Sequence, residues 1–418
     1  MIHATTMKNQ TKTDFDIIVA GGGMIGVSMA LAISSFNLRV AVIEKVNRNE
    51  HIQPSFDDRS TALSRSSQNM FEAMGLWSQI SEASTPIRSI HVSDQGRFGF
   101  SHICAEEQQV EALGYVVVNR VLGNVLMSEM GTKENVKLFC PSTIISVENK
   151  KKYCDVTIES NNLQKKISAK LIIIADGLDS NVREILGIGV DRVDYRQNAI
   201  IGNVLTEKPI LNRAFERFYE SGSIAFLPIQ DKRSAFIWVL PEDQSEELMT
   251  ASDDSFTELL QQQFGLRLGR LDGLGKRSCY PLVLTQAYRL TAERSVLIGN
   301  AANGLHPVAA QGFNLGLRDV ATLTDCIFDG NQQNNLDSNI EKILHRYSEW
   351  RKPDHKKLVS FTDGLVSLFG SNKRSTRILR NLSMLGFDFI PGFRKLFVRH
   401  TMGLAGKLPR LSRGVSFK

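Results

Sequence analysis

Two kinds of hydrophobic pattern run along the chain. The first is the short continuous apolar run. Asp14 to Val19 (D-F-D-I-I-V) and Arg39 to Ile43 are β-rich, and Leu171 to Ala175 (L-I-I-I-A) and Ser295 to Ile298 read as fully buried strands. Between the first two lies Met24 to Ser34, rich in Ala, Met and Leu, which predicts a helix. The second kind is alternation, concentrated in residues 200–240. Ala214 to Tyr219, Ile224 to Pro228 and Ala235 to Val239 each alternate, and the polar turn Gln230-Asp231-Lys232-Arg233 joins the last two as a hairpin. The chain is thus predicted to be α/β, with an antiparallel sheet in its middle.

Composition narrows the class. With 418 residues, 42% apolar and 22% charged, the chain is neither disordered, collagen-like nor a small disulfide scaffold. Two or three domains are expected at roughly 100–200 residues each. The net charge of +6 is unevenly placed: residues 371–418 hold eleven Lys and Arg and one acid, Asp388, while the remainder is mildly acidic. Five scattered cysteines, Cys104, Cys140, Cys154, Cys279 and Cys326, include no C-x-x-C pair and fit reduced, buried thiols. No apolar run reaches the roughly 18 residues of a membrane span. Residues 1–13 lack the apolar stretch of a secretory signal, and the expected location is cytoplasmic.

Three motifs carry chemistry. Gly21, Gly23 and Gly26 stand in G-x-G-x-x-G spacing between the first strand and the helix, and Glu44 ends the second strand 18 residues past Gly26. Gly21 permits the tight turn, Gly23 lets a pyrophosphate approach the backbone, and Gly26 lets helix and strand pack closely. The helix N-terminus offers N–H groups to phosphates, and Glu44 can accept from both ribose hydroxyls while repelling a 2′-phosphate. The loop alone does not separate NAD from FAD. The second motif, Asp176-Gly177-Leu178-Asp179-Ser180-Asn181-Val182-Arg183, follows a strand and places polar groups at the carboxyl edge of the sheet; an ordinary turn capped by Asp179 is the alternative. The third runs from Gly299-Asn300-Ala301-Ala302 through His306-Pro307 to Gln311-Gly312-Phe313-Asn314-Leu315-Gly316. Its helix N-terminus could face the pyrimidine end of a flavin, with Pro307 as a donor-free wall. His306 invites an acid/base reading, but a histidine beside a proline is more often structural.

The three motifs together resemble the single-component FAD-dependent aromatic hydroxylases. Within that group, Asp58 to Leu63, Ile90 to Asp94, Ala214 to Phe218 and Gly275 to Ser278 resemble the ubiquinone-biosynthesis hydroxylases, above all those acting on 2-polyprenyl-6-methoxyphenol. The similarity runs from about Asp14 to about Gly403. It implies a Rossmann-like FAD domain of the glutathione-reductase type, an inserted mixed β-sheet substrate domain and a helical C-terminal region. Carried over, Gly21, Gly23, Gly26 and Glu44 hold the AMP half of FAD, Arg59 and Arg120 reach flavin or phosphates, and Asn300 binds the ribityl chain. Gly312 and Asn314 meet the isoalloxazine ring, and Asp176 and Arg183 touch FAD and the nicotinamide cofactor. Asn303 and Ala310 depart from the residues usual in relatives.

The implied reaction uses NADPH or NADH as a transient co-substrate and O₂, through a flavin hydroperoxide, to hydroxylate a polyprenyl phenol. The flavin does the hard step, so Pro307, Gly312 and Asn314 are expected as its environment and no acid/base residue is assigned. No metal-ligand cluster is present. Phe218, Phe226 and Trp238 are the pocket candidates, with one packed sheet face as the competing reading. Hydroxylation of another position or phenol, and a non-catalytic flavin-binding subunit, are the rival functions.

The expected layout is a tail over 1–13, an FAD domain over 14–85, 108–186 and 280–340, a substrate domain over 86–107 and 187–279, and a basic helical region over 341–418. In that region Ile378, Leu379, Leu382, Leu385, Phe389, Phe393, Leu396 and Phe397 recur at helical spacing among Arg374, Arg377, Arg380, Arg394, Lys395 and Arg399. This pattern fits an interfacial helix on the inner face of an anionic membrane or a contact within a biosynthetic complex; a helix packed on the FAD domain is the alternative. Nucleic acid is not expected, since no reading motif accompanies the charge.

Overall fold

The computed structural model describes residues 13–47, 59–95, 100–230, 232–304, 311–331, 336–370 and 397–417. Four continuous apolar segments form the centre of the first layer. Strands Ile17–Ala20, Val40–Ile43, Leu171–Ile174 and Ser295–Leu297 are buried along their whole length, as strands covered on both faces must be. They lie parallel, with Val136–Phe139 beyond Val40–Ile43 and the antiparallel Thr291–Ala292 at the other edge. Helices Met24–Ile33, Asn119–Gly131 and Gln311–Gly330 and a meander of Thr143–Asn149, Cys154–Ser160 and Leu163–Ala169 share this core.

The second layer is a nine-stranded sheet. Its order is Asn303–Gly304, Ser278–Ala287, Val190–Thr206, Arg233–Pro241, Gly222–Gln230, Arg213–Tyr219, Ser89–Asp94 and Phe100–Cys104, with Leu271–Asp272 also on Val190–Thr206. The expected hairpin is present, with Gln230 paired to Arg233. Period-two alternation gives this sheet two faces. One carries Phe215, Tyr219, Phe226, Phe236 and Trp238 and is closed by helices Glu242–Thr250 and Asp253–Phe264, whose Leu248, Phe256, Leu260 and Phe264 pack into it. The other turns towards the first layer: Ala214, Leu227, Ile229 and Ala235 pack against Ala62, Ile87, Val116 and Val118. Those four belong to a small sheet of Ser60–Ser64, Gly114–Val118 and Ser84–Ile87 that joins the two layers.

Three placements bear on the expected layout. Ser278–Ala287 is one strand of the large sheet, so no boundary falls at 279/280; the backbone ladder to Val190–Thr206 continues to Ala287. Asn303–Gly304 of the third motif is also an edge of that sheet. Residues 341–417, where described, are largely helical, as expected, and pack against the rest of the chain. Helix Leu336–Gly370 buries Ile340, Ile343, Leu344 and Tyr347 in the first core. Residues 397–417 return to the body: Phe397, Val398 and Met402 pack with Ile103, Ala105 and Leu113, while Arg410 pairs with Asp325 and Asp329. The other cationic and apolar tail positions, from Arg374 to Leu396, lie outside the described residues. No described helix is long and apolar enough to cross a membrane.

Candidate functional site

The glycine loop joins the carboxyl ends of the central strands. Gly21 has φ +99°, and a Cβ there would stand 2.5 Å from the Ala175 carbonyl oxygen. A Cβ on Gly26 would stand 1.9 Å from the Gly21 oxygen, so only glycine lets the helix approach the turn. Gly23 caps the helix without any side-chain acceptor, leaving its first N–H groups for an anion. Glu44 lies beside the loop, its carboxylate accepting from Gly22 N–H at 2.6 Å and Val46 N–H at 2.8 Å. This is the edge where a ribose would meet it.

Arg59 and Arg120 are brought together from 61 residues apart by a backbone bond from Asn119 N–H to the Arg59 carbonyl at 2.8 Å. Arg59 stacks over the Tyr280 ring, 4.7 Å from its centroid, at the junction of the two layers, and Arg120 is exposed. Asn300 is exposed on the short turn Gly299–Ala301. Asp176 accepts from Val182 N–H at 3.1 Å, and its buried Oδ1 has no partner among the described residues. Burial pushes this carboxyl above its usual range. An orphaned acceptor beside Gly21 fits a ligand hydroxyl, and with the bare helix cap and the glycine cradle it makes the site compatible with FAD.

Several motif residues do other work. Ser180, not Asp179, caps the short helix Asn181–Ile185, accepting from Arg183 N–H. Arg183 is buried, and its Nη1 donates to the Ala301 carbonyl at 3.0 Å, clamping the second motif to the third. The Asn314 side chain, expected at the flavin ring, is tied to the chain itself. Its Oδ1 accepts from Ser64 N–H at 2.8 Å and Ser67 Oγ at 2.7 Å, and its Nδ2 donates to the Ala62 carbonyl at 2.8 Å. The backbone of the first helical turn stays available to a flavin, and a Cβ on Gly312 would meet nothing within 4 Å among the described residues. Gly316 instead lets the helix pass within contact of Ile25 and Gly299. Pro307, His306 and Ala310 lie outside the described residues.

The sequence motifs did not reveal the anchor beneath the third motif. Asp319, wholly buried, accepts from Gly299 N–H at 2.9 Å, Arg351 Nε at 2.7 Å and His355 Nε2 at 2.7 Å. Burial pushes its carboxyl up, but His355 and Arg351 outweigh that and hold it low. Asn303 Nδ2 lies 2.6 Å from His355 Nδ1; the amide donates, so His355 gives its Nε2 proton to Asp319. Asn303 is thus a member of this network. Asp354 bridges Arg351 and Arg318, which overcome its burial and lower its carboxyl to about 2. Arg318 and Asp319 adjoin the third motif, but Arg351 and His355 come from a helix carrying no recognisable signature.

The pocket candidates divide. Phe226 and Trp238 lie on the helix-covered face, Phe226 tilted against Phe264 at 4.3 Å and Trp238 donating to the Tyr219 hydroxyl at 2.9 Å. They are core residues and are withdrawn from the site; large aromatics pack best where two layers close. Phe218 lies on the opposite face, paired with Ser223 and Asp94. On that face one row crosses the sheet: Val92, Glu216, Ala225, Ile237, Ile201 and Ser278 are successive partners. All except Ala225 are half-buried, so the row is left partly uncovered on the face turned to the first layer, called the cleft face below, with Tyr280 and Arg59 near its end.

A Rossmann-like layer with an FAD-compatible loop, joined to a large sheet with an apolar cleft face, is the construction of a flavin-dependent oxidoreductase. Comparison places it more narrowly. The FAD binding domain family model matches residues 14–362. The chain is 32% identical to the ubiquinone hydroxylase UbiL of Rhodospirillum rubrum, over 96% of this chain and 93% of that one. It is 27% identical to the 3-demethoxyubiquinol 3-hydroxylase of Escherichia coli, over 94% and 100%. Among solved structures, p-nitrophenol 4-monooxygenase PnpA of Pseudomonas putida shares the fold, with a TM-score of 0.76 at 16% identity over 94% of this chain and 98% of that one. The chain belongs to the FAD-dependent hydroxylase family of ubiquinone biosynthesis, and it is an FAD-binding monooxygenase.

Proposed function

We propose that this monooxygenase hydroxylates the aromatic ring of a polyprenyl phenol of the 2-polyprenyl-6-methoxyphenol type, using NADPH or NADH and O₂. The observation that supports this reading is the cleft row, apolar but for Glu216 and Ser278 and ending near Tyr280 and Arg59, the latter expected at the flavin or pyrophosphate. Such a floor suits a greasy phenol: each CH₂ taken from water contributes about 0.8 kcal/mol. Bound FAD supplies the transfer of electrons from the nicotinamide and of one oxygen atom from O₂ to the ring. The chain's own residues bind and orient. The Gly21–Gly26 loop and the helix N-terminus take the phosphates, Glu44 the ribose and Asp176 a hydroxyl. Arg183 and the Asp319 network hold the surrounding loops still, and the large sheet keeps water from the reacting ring.

Incubating the FAD-loaded protein with a one-prenyl 2-prenyl-6-methoxyphenol, NAD(P)H and ¹⁸O₂ tests this. One ¹⁸O in the product ring is expected. Absence of phenol-dependent NAD(P)H oxidation sinks the proposal. The cationic stretch from Arg374 to Lys395 is proposed to bring the enzyme to an anionic membrane surface, where a polyprenyl chain is at home. Neutralising Arg374, Arg377, Arg380, Arg394 and Lys395 should then weaken sedimentation with phosphatidylglycerol vesicles at least tenfold; unchanged sedimentation refutes the docking.

A further inference from the structure

Glu216 is the one carboxylate in the cleft row. Its strand neighbours there are Val92 and Ala225, with Ile237 and Ile201 beyond. The Ser223 hydroxyl is the polar group that favours its ionised form, and no cation pairs with it among the described residues. The adjoining Arg217 points through the sheet to the other face, donating to the Phe264 carbonyl at 2.8 Å. His91 and Arg267 meet each other on that same far side. Of the charged groups on the strands flanking Glu216, Asp94 alone shares its face, one row away, and it too is an acid. A carboxylate among aliphatic side chains with one hydroxyl for company is poorly placed for stability. Its setting is that of a group kept for a proton.

We propose that Glu216 is the general base that accepts the phenolic proton of the substrate lying on the cleft face of the large sheet. This rests on the phenol-hydroxylase reading above and deepens it. The phenol O–H bond breaks and a carboxyl O–H bond forms, leaving its electron pair on the phenol oxygen, where it raises the electron density of the ring carbons to be hydroxylated. The proton returns to that oxygen before product leaves, so Glu216 is regenerated and no further reactant is consumed. Burial, only partly offset by Ser223, pushes the carboxyl up to about 7, where a base retains the most driving force while still ionised at neutral pH.

The test uses the FAD-loaded enzyme, the one-prenyl methoxyphenol and a ring-fluorinated analogue whose phenol ionises at lower pH. For the wild type, kcat/KM should rise with pH through an apparent pKa near 7. Glu216→Gln should keep its FAD and bind the phenol, read by the change in flavin absorbance, within about threefold of wild type. Its kcat should fall about 100-fold. Its residual activity should follow the ionisation of the phenol itself, and the fluorinated substrate should recover tenfold or more of the loss. Glu216→Gln turnover within twofold of wild type, or a flat wild-type profile between pH 6 and 8, overturns the assignment. If the variant does not fold, the wild-type pH profile decides. A wild type that makes no phenol-dependent product removes the hydroxylase reading and this one together, whereas wild-type turnover with an indifferent Glu216→Gln removes the base alone.

Discussion

The two faces of the large sheet are built from the same strands and do opposite things. The helix-covered face holds Phe215, Tyr219, Phe226, Phe236 and Trp238 interlocked with Phe256 and Phe264. The cleft face carries mainly Ala, Ile and Val, with Phe218, Ser223 and the carboxyls of Glu216 and Asp94 among them. Aromatic size therefore marks the side where the chain completes its own packing. The functional side keeps smaller side chains and leaves a row half-buried for something else to cover. An eye drawn to conspicuous aromatics finds the core first.

The largest test of this contrast is Phe226→Ala. It removes a wholly buried ring touching Phe236 and Phe264, and should lower stability by about 3–5 kcal/mol in urea unfolding. The protein that stays folded should show the KM of wild type. A raised KM with little loss of stability would return Phe226 to the pocket.

The cleft face should answer in the opposite sense. A carboxyl whose folded pKa lies above its unfolded value binds more protons in the folded state, so its contribution to stability is present below about pH 4.5 and is lost as pH rises through about 7. Glu216→Gln should therefore stabilise the enzyme at pH 8, by at most about 3 kcal/mol, and bring little at pH 4.5. Thermal unfolding at the two values measures it. Equal shifts at both would show that Glu216 is not held near neutrality. Ile237→Trp, on the same half-buried row, should change Tm little but raise KM for the phenol about tenfold, close to 1.4 kcal/mol. An unchanged KM would mean that the row is not the substrate floor.

How far the site could be read from sequence follows the range of the contacts involved. Gly21, Gly26 and Glu44 act within one β-turn-α-β segment, and their spacing alone predicts the turn, the close approach and the acid beside the loop. Asn314 sits in an equally legible motif, yet its partners are Ala62, Ser64 and Ser67, about 250 positions earlier. No local pattern announces that its amide is spent on the backbone of another strand. Arg351 and His355 are ordinary members of a helical stretch until the fold lays them on Asp319. The alternation of 214–239 gave the strands correctly and even grouped side chains by face. Which face the helix Asp253–Phe264 would cover is a tertiary fact, and it reversed the standing of Phe226 and Trp238 while raising that of Glu216.

The smallest expected effect is at Trp238, and it tests the division of faces most finely. Its indole N–H donates to the Tyr219 hydroxyl, which in turn donates to the Val239 carbonyl at 2.6 Å, a chain enclosed on the covered face. Trp238→Phe keeps most of the apolar contact but withdraws one donor, and should cost about 1 kcal/mol. Tyr219→Phe breaks the same chain from its middle. Because the two hydroxyl bonds share one oxygen, the double variant should lose less than the sum of the singles, with a coupling of about 0.5–1 kcal/mol. Through all three variants kcat/KM for the phenol should stay within about twofold, since both altered side chains lie on the covered face. Additive stability losses would mean that the hydrogen-bonded chain is not shared. A drop in kcat/KM without loss of stability would mean that the covered face communicates with substrate, and the separation of a packing face from a working face would fail at its aromatic end.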